Sequence, residues 1–504
     1  MRPCMICRNG FKIFEPFVGR IHAALLGALA LHAAWGVPSV RAAEIAITGD
    51  PAHRWGESKI VVSPNNPDNI VISAVGTGLT KDCQAHSPAC QPVTAKLGVS
   101  QVQLPKGQFT APAFNVVAAF VSRDGGKTWQ RVDIPVTPDD HLDLTRANEP
   151  NLTATADGTF YFSFDIANWG TPEHPLPNAA VAVSKSIDGG LTWSSPILTQ
   201  TPMGTPRMSA DLSTGTIYEA SSGLLGPHSS GVATDTFVPV LGRWLVSSKD
   251  GLKWTMPLPM AGEGESMSAA HGVLATAFEA SVKPSIHEEA NERLCRAAAP
   301  PCIVFETTSE TASTWSRHVL PGPANATNSP DDQPMVAADP AKPEHFTVAI
   351  PMNGKEYRVY QTQDSGVTWT GPVILPQDNA AKHFHPSMAY SEDGILGIVW
   401  QSVQPAGKPS VISAPSEASN DGAGLSYSVW ATISRDGGAS FSAPLRVSST
   451  DSPPPTNAME NIDDDDSSVA VAGDHVLLTW ADWRLQERAV FFSDIKLEAF
   501  KTVR

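Results

Sequence analysis

Basic charge, cysteine, tyrosine and long apolar runs are all scarce in these 504 residues. Lysine and arginine number 35 against 51 aspartates and glutamates, for a net charge of −16. The first 42 residues hold five basic groups and one acidic group, so the remainder carries −20. That balance argues against nucleic acid or an anionic membrane surface as the main partner, since both are polyanions. It leaves room for one small anion in a locally basic cup. A single run, Ile21 to Val37, is extended, apolar and alanine-rich, and it contains His22 and His32. It follows Arg2, Arg8, Lys12 and Arg20 and precedes the small-residue stretch Val40-Arg41-Ala42. Residues 1–42 therefore read as a bacterial signal peptide removed near Ala42, and the protein as periplasmic or secreted. No cysteine follows the apolar run, which argues against a lipid anchor, and no later stretch is apolar enough to insert in a membrane. Cys4 and Cys7 would leave with the signal. The four that remain form two equally spaced pairs, Cys83/Cys90 and Cys295/Cys302. Even, local pairing in an exported chain predicts two disulfides, and no zinc-like His/Cys spacing adjoins either pair.

What the chain has in plenty is a repeated turn. Ser122-Arg123-Asp124-Gly125-Gly126-Lys127-Thr128-Trp129 and Ser186-Ile187-Asp188-Gly189-Gly190-Leu191-Thr192-Trp193 are the clearest copies. Looser ones centre on Asp250, Asp364 and Asp436, and a sixth, Thr308 to Trp315, has Glu310 in place of aspartate. Asp accepts backbone N–H bonds across the turn, Gly supplies positive φ, and Trp buries a ring beside the next strand. These aspartates are predicted to be turn clamps rather than catalysts.

Between the turns lies a second repeat: a polar residue, a short apolar strand, a tight turn and another strand. Copies start at Ser58, Pro150, Arg207, Ser266, Pro334, Pro386 and Ser467, making seven inner pairs. Each of the first six pairs leads through a third strand into an Asp motif and a fourth strand. The expected fold is all-β, a single propeller domain over residues 43–504 with four-stranded blades. Seven blades is the preferred count, with Glu44 to Thr48 supplying the seventh blade's missing edge; six blades plus an appendage is the alternative. The Asp motifs and the short inner turns fall on one face. The long connections, including Gly76 to Pro112 and Ser281 to Cys302, fall on the other, where the functional cup is expected.

The Asp motif on a signal-bearing propeller resembles the sialidase-like superfamily, the BNR-repeat or Asp-box proteins, over roughly Ser58 to Arg484. The resemblance implies an exported glycan-active protein, with a carbohydrate or glycoconjugate as partner. An exo-sialidase-like glycoside hydrolase acting on a terminal acidic sugar is one reading; a non-catalytic glycan- or protein-binding propeller is the other. It implies no obligatory cofactor and a monomer. Family sialidases clamp the substrate carboxylate with three arginines and use a Tyr–Glu nucleophile and an Asp acid/base. Their first arginine stands in Phe/Tyr-Arg-Ile-Pro; here that place reads His53-Arg54-Trp55-Gly56-Glu57-Ser58.

Candidate residues follow from the layout. Arg54, Arg207 and Arg484 are expected on the cup side, where a guanidinium suits a carboxylate, with Trp483 as a stacking surface for a sugar ring. Glu149, Asp332 and His385 stand at inner-strand entrances and are the candidate acid–base groups. The run Asp463-Asp464-Asp465-Asp466 also enters an inner strand; Asp463 and Asp465, with Asp482, could hold Ca²⁺ through hard oxygen ligands. No tyrosine is singled out as nucleophile.

Overall fold

The computed structural model describes residues 43–48, 53–78, 115–135, 146–168, 178–202, 204–225, 240–262, 266–280, 295, 302–309, 314–321, 333–352, 354–375, 382–403, 426–453, 466–485 and 488–501. Twenty-eight strands form seven four-stranded antiparallel sheets, each the blade of a β-propeller. Blades one to six use four consecutive strands apiece. Their innermost strands are His53–Ser63, Arg146–Ala154, Arg207–Asp211, Ser266–Ala270, Met335–Ala338 and Lys382–Tyr390. Blade seven is composite. Ser467–Ala472, His475–Asp482 and Ala489–Lys496 are its three inner strands, and the N-terminal strand Ala43–Ala46 pairs on its outer edge. The expected closure by the start of the chain is therefore present. Residues 1–42, Cys83, Cys90, Asp332, Asp463 and Asp465 lie outside the described residues. No described helix is long and apolar enough to cross a membrane.

Each blade is buried on both faces, which explains near-continuous apolar strings such as Phe160-Tyr161-Phe162. One core cluster joins Val71, Val117 and Val121 of blade one to Leu152, Phe162 and Phe164 of blade two. Another joins Ile60, Ile70 and Ile72 to Leu477, Val490 and Phe492 of blade seven. Side chains stitch neighbouring innermost strands together. Met208 N donates to Asn151 Oδ1 (3.2 Å), Ala269 N to Ser209 Oγ (3.0 Å) and Ala338 N to Ser268 Oγ (3.0 Å). At the closing seam Ile60 N donates to Ser468 Oγ (3.3 Å).

The Asp motifs are turn clamps, as the residues suggested. Asp124 Oδ1 accepts from Ser122 Oγ (2.8 Å) and Thr128 N (2.9 Å), and Oδ2 accepts from Thr128 Oγ1 (2.6 Å). Trp129 Nε1 donates to Gly126 O (3.0 Å), and its ring packs edge-on against Phe492 of blade seven, 4.9 Å between centroids. Gly126 is obligatory: its φ is +86°, and a Cβ there would stand 2.4 Å from Phe492. The Asp188, Asp364 and Asp436 turns repeat the pattern, and Asp250 makes a shorter version through Leu252 N and Lys253 N. Arg123 Nη1 reaches Asp188 O (2.9 Å) and Lys185 Nζ reaches Asp250 O (3.2 Å), clasping successive blades on this face.

Hydrogen bonds from the Thr128 hydroxyl and N–H lower the Asp124 carboxyl to about 2. At Asp188 the bonds from Thr192 and Ser186 outweigh burial and also lower it. Depressed carboxyl values mean that the clamps contribute fully above the unfolded value near 4 and lose their contribution as pH falls toward the folded value. Asp188→Ala should cost about 1–2 kcal/mol at pH 7, by comparison with lost helix caps and hydrogen bonds, and less at a pH below the unfolded carboxyl value near 4. Denaturant melts of both proteins at the two pH values check this; an equal loss at both would assign the effect to something other than the carboxylate.

Blade seven also relocates three candidates. Arg484 Nη2 bonds Asp482 Oδ2 (2.6 Å), its Nη1 bonds Glu44 Oε2 on the N-terminal strand (2.6 Å), and its guanidinium lies 4.6 Å from the Phe491 ring centroid. Arg484 is thus a structural latch rather than the expected substrate clamp. Asp482 is fully buried and serves Trp480 Nε1 and Arg484, so the expected Ca²⁺ role is replaced by anchoring. Trp483 is 2% exposed beneath Arg488 and presents no face for a sugar. The three share a place in the fold: they end or directly follow His475–Asp482, an interior strand of the closing blade, and Arg484 reaches from there to Glu44 on the N-terminal strand. Arg484→Ala should lower stability by about 3 kcal/mol, because it strands a buried carboxylate. Thermal melts check the loss, while ligand affinity of the folded protein should stay unchanged.

Candidate functional site

The innermost strands surround a channel of ≈840 Å³ that runs between the two faces, within the range of small-molecule sites. Its cup-side mouth is built from a repeated backbone irregularity. Register shifts interrupt pairing between Gly56 and Lys59, between Asn148 and Asn151, and between Phe384 and Ser387. At the resulting bulges Glu57 (φ 51°), Glu149 (φ 51°) and His385 (φ 47°) adopt left-handed backbone, as does Thr205 (φ 51°) before blade three. Left-handed conformations at non-glycine residues cost of order 1–3 kcal/mol each, and bulges re-aim side chains. All four residues line the channel, together with Gln333 of blade five and Asp466 of blade seven. Each stands immediately before Ser58, Pro150, Pro206, Pro334, Pro386 or Ser467.

This ring holds the charge of the site. Glu149 N donates to Glu57 Oε2 (3.0 Å), coupling blades one and two. Across the ring His385 is 5% exposed, with Nδ1 3.4 Å from Asp466 Oδ1. Its backbone oxygen accepts from Ser467 Oγ (2.5 Å), which fixes the bulge. One layer deeper, Lys59 and Arg207 face the lumen. Burial, with the Arg207 charge, lowers Lys59 to about 8 against an opposing pull from Asp466. Burial would raise Asp466, but the His385 hydrogen bond and charge, with Arg207 and Lys59, outweigh it and hold the carboxyl low. The opposite wall, on blades four to six, is apolar, with Met267, Met335 and Met388 and the small Ala269, Ala337 and Ala389.

Behind Glu149, on the second strand of blade two (Phe160–Asn168), Asp165 is 4% exposed and accepts from Gly204 N (3.3 Å). Burial first, and the neighbouring Glu149 charge second, push its carboxyl well above the usual range. Glu219, on the second strand of blade three (Thr216–Leu225), accepts from Thr201 Oγ1 (2.8 Å), and burial raises it to about 7.

Of the sequence-derived candidates, Glu149, His385 and Arg207 meet at the mouth. Arg54 lies two residues before Gly56 on the same strand, opposite Thr77, and is not among the lining residues. The ring position of blade five is Gln333, one residue after the candidate Asp332, and that of blade seven is Asp466, one residue after Asp465. Glu57, Lys59 and Asp165 were missed. The first two sit at the same repeat offsets as Glu149 and Arg207, so aligning the seven entrances would have found them; Asp165 carries no local signal. Tyr161, Tyr218, Tyr357, Tyr360 and Tyr427 are buried within blades, and Tyr390 bonds Thr347 and Gly437 at the Asp-box end. The tyrosine nucleophile implied by the family resemblance therefore has no counterpart at the mouth, and among the described residues Arg207 is the one arginine lining the channel.

No protein-family model and no curated protein matches the chain. Similar solved structures include the Hadza microbial sialidase Hz136, 17% identical, covering 76% of this chain and 74% of that one, with a TM-score of 0.40. The NanB sialidase from Streptococcus pneumoniae is 10% identical, with 92% and 99% covered and a TM-score of 0.39. A protein of unknown function from Dyadobacter fermentans is 12% identical, with 91% and 100% covered and a TM-score of 0.40.

A raised carboxyl value makes folding more favourable below the unfolded value, and that gain is lost as pH rises through the folded value. For Glu219 the window runs from the ordinary 4.5 to about 7. Glu219→Gln keeps an acceptor for Thr201 and should remove this pH dependence, becoming more stable than the parent by about 2–3 kcal/mol above pH 7. Denaturation midpoints from pH 4 to 8 measure it; parallel curves for the two proteins would contradict the burial argument.

Proposed function

We propose that this is an exported glycan-active protein that binds a terminal acidic sugar at the channel mouth and hydrolyses its glycosidic bond there. The observation that carries the reading is the convergence of Glu149, His385 and Arg207 on one lumen, with Asp165 and Asp466 behind them. Arg207 would take the sugar carboxylate. His385, oriented at Nδ1 by Asp466, would give a proton to the departing oxygen, and Glu149 would activate water from the facing side. The basic and apolar segment before Ala42 supports export, and the Cys295–Cys302 bridge fits an oxidising compartment.

A second reading, a non-catalytic glycan- or protein-binding propeller, is favoured by the tyrosines' absence from the mouth. One experiment separates the two. A 4-methylumbelliferyl sialoside, uronides and neutral glycosides are assayed alongside calorimetric binding of the free acidic sugars. Glu149→Gln and His385→Gln should lower turnover by about 10²-fold or more with binding retained, since they remove proton transfer and keep shape. Arg207→Ala should weaken the acidic ligand by at least roughly tenfold, as expected when a desolvated charge pair loses one partner. Acidic-sugar binding without turnover of any glycoside would establish the binding propeller.

A further inference from the structure

The lysine in the channel wall has a use that hydrolysis leaves idle. Lys59 lies two residues beyond the Glu57 bulge on the innermost strand of blade one, lines the lumen and is partly buried. Arg207 on blade three and Asp466 at the entrance to blade seven act on it through their charges, and both line the same channel, as does His385 on blade six. Asp466 acts on Lys59 through charge and on His385 through a 3.4 Å ion pair, so amine, carboxylate and imidazole form one connected set. An anchoring lysine would normally be solvated or fully matched by acid; this one shares its carboxylate with Arg207 and His385.

From this juxtaposition we infer that Lys59 is a carbonyl-reactive amine that forms an imine with a small 2-oxo acid, the carboxylate of the ligand resting on Arg207. The chemistry balances within the site. The neutral Lys59 nitrogen attacks the keto carbon, forming a C–N bond while the C=O π bond breaks and its oxygen takes a proton from the His385 imidazolium. The amine proton passes to Asp466. The carbinolamine hydroxyl then leaves as water, protonated through His385 and Asp466, and the nitrogen lone pair closes the C=N bond. One water is released and nothing is oxidised or reduced. Burial and the Arg207 charge support the step: with its value lowered to about 8, about a tenth of Lys59 is neutral at pH 7, against well under a thousandth for an ordinary lysine. The lumen, ≈840 Å³, admits such a ligand beside its apolar methionine wall.

Reductive trapping tests this on the full chain. The protein is incubated with pyruvate and sodium cyanoborohydride at pH 7, with acetone, which lacks the carboxylate, as the paired probe, and modified lysines are mapped by peptide mass spectrometry. The expected result is one carboxyethyl group per chain, at Lys59. It should form at least about tenfold faster than at exposed lysines such as Lys127 and Lys253, in keeping with its larger neutral fraction. Acetone should label Lys59 at least about tenfold more slowly than pyruvate, and Arg207→Ala should erase that preference. Lys59→Arg, which keeps the positive charge, should lose the label while melting like the parent. Labelling at Lys59 no faster than at exposed lysines, or equal labelling by acetone and pyruvate, overturns the inference. The wild-type map alone decides, whether or not the variants fold. The inference shares Arg207 with the proposed hydrolytic site, but trapping needs no glycoside, so the two can fail separately.

Discussion

Closure of the ring is the constraint on which the rest of this molecule depends. A blade buried on both faces is stable only between two neighbours, so a seven-blade circle must join its last blade to its first. Here the join is made by Ala43–Ala46 pairing with Ala489–Lys496, and it is fastened by side chains as well as by the ladder. Glu44 binds Arg484 and Ser449, Val490 N donates to Thr48 Oγ1 (2.8 Å), and Trp55 N donates to Arg488 O (3.0 Å). Because Arg484, Trp483 and Asp482 are enlisted in that seam, they are withdrawn from the cup. A charged, aromatic strand end that looks like a ligand surface becomes part of the closure.

With the circle closed, the innermost strands are held at equivalent heights around an axis, and a device repeated along the sequence becomes a ring in space. The bulges at Glu57, Glu149 and His385 illustrate the consequence. Each pairs a left-handed residue with a following Ser or Pro, and each turns one polar side chain into the lumen. The backbone strain recurs at the place where the charged side chains converge, which is where stored strain is commonly functional. The Asp-box face uses its motif aspartates differently. Its carboxylates, Asp124 and Asp188 among them, spend their lone pairs on their own turns.

Charge in the cup is organised by depth. Asp165, away from water and beside Glu149, is pushed up; Asp466, surrounded by His385, Arg207 and Lys59, is held low. Both are aspartates in a propeller mouth, and their opposite shifts follow from neighbours contributed by different blades. The same neighbours set Lys59 apart from the surface lysines. A lumen with Lys59 and Arg207 on one side and a methionine-lined wall on the other favours a ligand that is anionic at one end and less polar at the other.

The sequence by itself determined the blade repeat, the turn clamps, the disposition of the two faces and the N-terminal strand's place in blade seven. Those rest on local rules: Asp, Gly and Trp act within one turn, and alternation of short apolar strands is visible residue by residue. It also singled out Glu149, His385 and Arg207, because they directly flank the start of an innermost strand. Only the tertiary structure decided that Gln333 and Asp466 occupy the ring. A shift of one residue at a bulge reverses where a side chain points, and no local pattern records the bulge. Likewise Arg484 is a latch because Glu44, 440 positions away, reaches it. The Asp165 carboxyl is pushed up because the fold buries it beside Glu149, a consequence that no spacing along the chain encodes.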